Sequence, residues 1–342
     1  MRKILWLATH QNPNFGGIEL HSISFVKALK ERGFDITLCL SKGNFVDKNT
    51  EGFEKCFTTT RYSFDIKAFK DIFLKAKNHD IIISNNAKEY EISLLVSKLL
   101  NKKAIAFRHM ENLKNPLVAK FILSNMDIVY AVSEKLKTEL VSKGVNPSRV
   151  KVLYNLIEEG KKEKPQKDYI TLLFVGKVIE PKGIWEFLKL AIELKPYKEF
   201  KFMVVGDGDA LASAKVFAEE NALDIEFFGF QKDTYPYYQK ADIVLVLSKY
   251  DEAISRVAIE ALANACALIG SFVGGIKEAI EDGKNGFLVN PEDINALKEK
   301  VLYFRDKKRL LRAQEHSFNL YKRKFSKEAI LKSFEEDIAN LI

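Results

Sequence analysis

Residues 252–265 read Glu-Ala-Ile-Ser-Arg-Val-Ala-Ile-Glu-Ala-Leu-Ala-Asn-Ala. From Val257 to Ala265 the run is apolar almost all round at helical period, which marks a buried helix. Glu260 interrupts it near the middle, and a buried carboxylate is costly unless something pairs with it. Ser255 suits the N-cap of a helix opening at Arg256. Glu252 then falls in the preceding loop, within the polar stretch that starts at Ser248. Glu260 falls one turn in, about 6 to 8 Å along the axis at a rise of about 1.5 Å per residue. The N–H groups of Ser255, Arg256 and Val257 lie between them, a natural seat for a pyrophosphate. The spacing fits an extended ligand, with a sugar at Glu252, a diphosphate at the helix start and ribose hydroxyls at Glu260. The competing partner for Glu260 is Arg256, four residues back, in the weaker orientation for an ion pair.

Outward from this segment, short apolar runs alternate with amphipathic stretches. Strands are expected at 4–8, 36–40, 81–84, 104–107 and 129–132, with helices at 17–32, 65–78 and 91–100. The second half repeats the rhythm, with strands expected at 171–175, 202–205, 225–228, 243–247 and 267–270. Such alternation predicts an α/β protein of doubly wound parallel sheets. The chain has 342 residues, which suits two domains. The stretch 158–168 is charged, carries Gly160 and Pro165, and reads as a linker between them. Open parallel sheets bind ligands beyond the carboxyl ends of their strands, so the expected site is a central cleft faced by both domains.

Hydrophobic residues make up 47% of the chain and charged ones 29%, which excludes a disordered chain. Cys39, Cys56 and Cys266 have no metal-type spacing and suit a reducing cytoplasm. The apolar run after Lys3 is about six residues, shorter than a signal-peptide core, and reads as a first strand. No run approaches the roughly 18 apolar residues of a membrane span. The net charge of +8 is unevenly placed: residues 1–160 hold 25 Lys and Arg against 17 Asp and Glu, and the remainder holds 29 of each. A basic first half suggests an anionic partner such as membrane lipid, lipid phosphate or nucleic acid, or else only a soluble basic surface. Within 65–78, Ile66, Phe69, Ile72 and Phe73 share a face flanked by Lys67, Lys70, Lys75 and Lys77. That pattern fits either a membrane contact or an ordinary core-packing helix.

Several blocks, in order, resemble the retaining glycosyltransferases of the two-Rossmann-domain (GT-B) fold, family 4 type, also called glycosyl transferases group 1. They are Gly16-Gly17-Ile18-Glu19, Val152-Leu153-Tyr154-Asn155, Val175-Gly176-Lys177 with Lys182-Gly183, Glu252 with Glu260, Gly274-Gly275-Ile276-Lys277-Glu278, and Gly286-Phe287-Leu288-Val289. The resemblance implies an acceptor-binding domain over 1–160, a nucleotide-sugar-binding domain over 161–325, and a last helix, 326–342, that packs back on the first. It implies transfer of a hexosyl group from a UDP- or GDP-sugar to a hydroxyl of a glycan or lipid-linked acceptor. The expected setting is bacterial cell-surface polysaccharide, lipopolysaccharide or glycoconjugate synthesis. The enzyme would be cytoplasmic, with peripheral contact to an anionic membrane, no nucleic-acid partner and no obligatory metal.

By the same resemblance, Lys177 and Lys182 bind the donor diphosphate, Glu252 the donor sugar, Glu260 the ribose, and His109 the transferred sugar. Gly17 lets the backbone approach the phosphates. Lys177 departs from the usual arginine, which keeps the charge and loses the bidentate fork. Ala253-Ile254-Ser255 replaces the usual Gly-Phe-Gly, and Leu156 a usual glycine, which alters the donor pocket. Asp207-Gly208-Asp209 looks like a metal-binding pair and reads as a turn. His10 ends the first strand and is expected to touch acceptor or pack; His316 is assigned nothing. Rival readings are a sugar-nucleotide 2-epimerase of the same fold and a non-catalytic nucleotide-sugar-binding module.

Overall fold

A computed structural model describes residues 2–11, 16–62, 64–110, 116–251 and 253–341. The chain divides into two compact units. One is Met1–Leu156 together with Ile330–Ile342, and the other is Ile157–Ala329.

The first unit is built on seven strands: β1 (Lys3–Ala8), β2 (Asp35–Leu40), β3 (Glu54–Phe57), β4 (Ile81–Ser84), β5 (Lys103–Arg108), β6 (Ile128–Ala131) and β7 (Val150–Val152). They lie in the order β3-β2-β1-β4-β5-β6-β7, and every pair is parallel. Helices cover both faces, so the central strands are apolar on both sides. Ile4, Leu5, Trp6 and Leu7 of β1 and Ile81, Ile82 and Ile83 of β4 are fully buried. The sheet reverses its winding between β1 and β4.

The second unit holds β8 (Ile170–Val175), β9 (Phe200–Val205), β10 (Ile225–Phe227), β11 (Ile243–Val246), β12 (Ala267–Ser271) and β13 (Gly286–Val289). Their order is β10-β9-β8-β11-β12-β13, again all parallel. The winding reverses between β8 and β11. In doubly wound sheets that switch point is where loops part to leave a ligand crevice.

The last helix, Lys327–Leu341, belongs mostly to the first unit. Phe334 packs its ring 5.4 Å from Phe25 and 5.9 Å from Tyr130. Burying such a ring contributes about 1.5–3 kcal/mol. The Tyr130 hydroxyl donates to Asp337 at 3.0 Å, and Lys151 pairs with the same carboxylate.

Three strands lie outside the expected ones: β3, β7 and β13. All are edge strands of three or four residues; β3 and β7 lack a continuous apolar run, and β13 is a short apolar run, Gly286-Phe287-Leu288-Val289. The stretch 158–168 is not a free linker. It lies along the second unit, where Tyr235 donates to the Glu158 carbonyl and Gly160 N–H donates to Ala263 at 3.2 Å. Farther on, Lys164 reaches the Tyr238 carbonyl at 2.6 Å and Lys167 pairs with Asp242 at 2.6 Å. Its anchors are polar, so apolar patterning could not reveal them. The helix Ile66–Ala76 turns Ala68, Ile72 and Ala76 into the core beside Leu5, Leu7 and Ile82, with Phe69 and Phe73 packed at the margin. Only Ile66 of its nominated membrane face stands out, 75% exposed. No described helix is long and apolar enough to cross a membrane.

Candidate active site

In the second unit, three loops interlock at the carboxyl ends of β8, β11 and β12. The loop after β8 carries Lys177, which is exposed, and Lys182, which is half-buried. Gly183 closes it at a φ of 81°, and a Cβ there would lie 2.4 Å from the Leu247 carbonyl oxygen. Only glycine fits so close an approach in the left-handed region. The Lys249 N–H donates to the Pro181 carbonyl at 2.8 Å, which ties the β8 loop to the β11 loop. The Lys182 ammonium lies 5.1 Å from the centre of the Tyr250 ring. Lys249 itself is clamped by the buried Glu186 at 2.7 Å, which raises its pKa. Asp251 accepts from the Gly274 N–H at 2.9 Å, and a Cβ on Gly275 would strike the Ala253 carbonyl oxygen at 2.5 Å. The glycine pair therefore lets the third loop lie against the second.

The helix Arg256–Ala263 starts from this junction. Ser255 caps it, its hydroxyl accepting from the Ala258 N–H at 3.3 Å. The N–H groups of Arg256 and Val257 stand ahead of that bond, at the positive end of the helix. Glu252 lies outside the described residues. Glu260 is only 7% exposed, and the protein supplies both of its partners. Arg256 donates to one oxygen at 2.7 Å and the Tyr238 hydroxyl to the other at 3.0 Å. The weaker i−4 pairing therefore forms. Glu260 has a structural role whatever else it binds. Lys182, Ser255, Arg256 and Val257 are thus brought to one switch point, whereas the backbone beside Lys177 packs on the loop after β9, with Val178 N–H donating to the Asp207 carbonyl at 2.9 Å. Gly17 and His109 belong to the other unit.

In the first unit, Thr9 and His10 follow β1, Asn85 to Glu89 follow β4, and His109 follows β5. They meet at the switch between β1 and β4. Glu89 is buried, and it accepts from Thr9 N–H at 2.7 Å, Thr9 hydroxyl at 2.9 Å, Asn85 N–H at 3.0 Å and Asn86 N–H at 3.1 Å. Burial raises its pKa, and those four bonds oppose the rise. His109 Nε2 lies 2.9 Å from Asn85 Oδ1, and its ring meets His21 edge-on at 4.7 Å. Desolvation, then the Arg108 charge, pushes the His109 pKa down to about 3. Burial and the neighbouring His109 hold His21 well below its usual value too. Desolvation and Lys88 lower His10. A cavity of about 1050 Å³ lies at the start of β8, among Lys164, Lys167 and Arg305, at the wrong end of the sheet for a ligand crevice. One of about 710 Å³ sits at the carboxyl end of the first sheet, lined by His10, Arg61, Asn85, Lys88, Arg108 and His109. Gly17 opens the helix Gly17–Glu31, and a Cβ there would meet nothing within 4 Å.

Asn85, Glu89, His21, Lys249 and Asp251 were not singled out by sequence reasoning. A buried polar residue in a loop carries no periodic signal. A turn at 208–211 is closed by the Leu211 N–H donating to the Gly208 carbonyl at 3.0 Å, and Asp207 accepts from the adjacent Gly208 N–H at 2.8 Å. Among the described residues no group of three or more His, Cys, Asp or Glu is placed to hold a metal ion.

Residues 15–160 match the family described as Glycosyltransferase Family 4, and residues 157–324 match Glycosyl transferases group 1. This chain belongs to the GT-B glycosyltransferases of the family 4 type. An uncharacterized glycosyltransferase of Methanocaldococcus jannaschii is 28% identical over 95% of both chains. The lipopolysaccharide 1,2-N-acetylglucosaminetransferase of Salmonella typhimurium is 27% identical over 82% of this chain and 77% of its own. Among solved structures, Anabaena HepE in complex with UDP superposes with a TM-score of 0.83 at 18% identity, covering 99% of this chain and all of that one. A Rickettsia africae glycosyltransferase does so at 0.83 and 21% identity, over 99% and 98%. This glycosyltransferase therefore has the two-domain α/β GT-B fold, with a loop cluster beyond the carboxyl end of each sheet.

The paired imidazoles of this glycosyltransferase give its first unit a pH signature. His21 and His109 stay neutral in the folded state and protonate near pH 6.5 when unfolded. Their stabilisation is present above that pH and is lost as pH falls from about 6.5 toward the folded pKa. Each contributes about 1.4 kcal/mol per pH unit within that window. His21→Phe should reduce the slope of unfolding free energy between about pH 6.5 and pH 5 by roughly that amount. Trp6 fluorescence in a Trp185→Phe background reports the first unit alone, because the chain has two tryptophans. An unchanged slope would mean that His21 is charged or exposed in the folded protein.

Proposed function

We propose that this glycosyltransferase moves a sugar from a nucleoside-diphosphate donor to a hydroxyl of a glycan or lipid-linked acceptor, with retention of configuration. The carrying observation is the convergence of the Lys177–Lys182 loop, the Ser255-capped helix start and the Gly274–Gly275 turn at the β8/β11 switch point. A nucleotide-sugar donor is supported by HepE, whose structures include complexes with UDP and with UDP-glucose. A glycan or lipid-linked acceptor is supported by a Campylobacter jejuni relative named for a diphospho-undecaprenol acceptor, 29% identical over 38% of this chain.

In this reading, residues 161–325 take the donor and residues 1–160 the acceptor. The Lys177 and Lys182 ammonium groups and the N–H groups of Ser255, Arg256 and Val257 stabilise the departing diphosphate. That is electrostatic preorganisation, where one well-placed donor is worth about 2.7–4 kcal/mol. Glu252 holds donor-sugar hydroxyls. Glu260 shares its oxygens between Arg256, Tyr238 and the ribose. Gly17 leaves room for the phosphates, and His109 meets the transferred sugar. Two lysines and a helix dipole already neutralise the diphosphate, so the reaction needs no divalent cation. The protein works on the cytoplasmic side of a membrane, in cell-surface glycan synthesis.

Its membrane contact is the helix Pro116–Asn125, which exposes Leu117 at 79% and Phe121 at 68% beside Lys120. Met110 and Val118, on the rim of the first unit's cavity, continue that apolar edge.

Lys182→Ala should lower kcat about 100-fold while raising KM less, because leaving-group charge grows in the transition state. Glu260→Ala should weaken UDP or GDP binding about tenfold by calorimetry, about 1.4 kcal/mol. Activity should persist in excess EDTA; loss restored by Mn²⁺ would bring Asp207 and Asp209 into the site. Normal kcat in Lys182→Ala would remove the lysine from the donor site. Flotation with anionic vesicles should fall with added salt, since each basic residue near the surface is worth about 1 kcal/mol. Leu117→Glu with Phe121→Glu should abolish it, and unaltered flotation would place the contact elsewhere.

A further inference from the structure

Asn85 lies at the carboxyl end of β4 and is buried. Chemistry decides which way its amide points. One amide atom lies 3.1 Å from the Ile18 carbonyl oxygen, which can only accept, so that atom is Nδ2. Nδ2 also donates to Ser22 Oγ at 2.5 Å, a hydroxyl that receives the Trp6 indole N–H at 3.4 Å as well. The atom facing His109 is therefore Oδ1, an acceptor, 2.9 Å from His109 Nε2. The imidazole must donate there, so Nε2 carries the proton. The backbone of Asn85 is fixed independently, because its N–H donates to the buried Glu89. Side chain and main chain are thus anchored on three elements: β4, the helix Gly17–Glu31 and the turn at Glu89.

We propose that Asn85 is a positioning residue that locks His109 as the neutral Nε2–H tautomer, leaving Nδ1 to accept a hydrogen bond from a substrate hydroxyl in the adjoining cavity. The inference rests on the reading of His109 as a substrate contact. An imidazolium could only donate, so the neutral form and its tautomer decide which substrate group the ring can meet. The surroundings favour neutrality. Arg108 precedes His109 in the chain and His21 packs against it from the helix Gly17–Glu31. His10, Arg61 and Lys88 line the same cavity on the cationic side, and Glu91 lines it on the anionic side. Glu89 turns its four bonds toward Thr9, Asn85 and Asn86 instead. Tyr90 donates its hydroxyl to the Phe107 carbonyl.

The test is imidazole ¹⁵N NMR on the full-length protein, alongside kinetics. In the wild type, His109 should show the Nε2–H tautomer and stay neutral at every pH above about 5. Asn85→Asp puts a carboxylate where the amide oxygen was and should raise the His109 titration midpoint by at least one unit. The acidic limb of kcat/KM should move with it. Asn85→Ala should mix the two tautomers and cut kcat about tenfold or more. A wild-type Nδ1–H tautomer, or an Asn85→Asp variant with unshifted His109 titration and pH profile, would overturn the inference. The wild-type spectrum decides the tautomer even if a variant folds poorly. His109→Ala separates the two claims: full activity in that variant removes His109 from the site, whereas inactivity leaves the Asn85 test to stand by itself.

Discussion

A backbone hydrogen bond from Lys249 N–H to the Pro181 carbonyl holds the lysine loop after β8 against the loop after β11. Two loops that leave a parallel sheet on either side of its switch point diverge unless something joins them. Here the join is reinforced by Lys182 against the Tyr250 ring and by Gly183, whose missing side chain lets the Leu247 carbonyl close in. Asp251 then fastens the Gly274 turn to the same junction. Positive charge, helix-start N–H groups and a tight glycine turn are gathered by hydrogen bonds no longer than 2.9 Å. The proposed donor site depends on that interlock, because lysines on untethered loops would be ordinary solvated charges.

Glu260 illustrates how a charge inside an apolar helix is held by the protein itself. Its helix is apolar because it is buried among β11, β12 and the helix Lys307–Leu320. A carboxylate in that position requires protein partners before any ligand arrives, and Arg256 and Tyr238 provide them. Tyr238 in turn has its pKa raised by burial and by the Glu260 charge, so it remains a donor at any working pH. Binding a ribose would then add to an existing network rather than fill an unmet valence.

Much of this was legible in the amino-acid sequence. Continuous apolar runs such as Ile81–Ser84 and Ile243–Val246 announce strands covered on both faces, and they occur where helical periodicity breaks off. Glu260 and the Ser255 cap were visible because a charge inside an apolar helix and a hydroxyl at its start are local signals. The first unit's polar cluster was not. Asn85 and Glu89 look like loop residues, and His21 looks like one polar position on an amphipathic helix. Their importance arises only when the parallel sheet sets β4 beside both β1 and β5, pairing Ile4 with Ile81 and Ile81 with Lys103. The stretch 158–168 misled for the opposite reason. It has the composition of a tether, yet its backbone carbonyls and lysines bind to the second unit.

The most direct measurement is a crystal structure of the protein with UDP or a UDP-sugar bound. Donor binding by the second unit requires a diphosphate within hydrogen-bond reach, about 2.7–3.2 Å, of the Arg256 and Val257 N–H groups and the Lys182 ammonium. It also requires a ribose hydroxyl on Glu260 with the Arg256 and Tyr238 bonds intact. A nucleotide seated in the first unit's cavity, or one whose phosphates miss the Ser255-capped helix start, would contradict it.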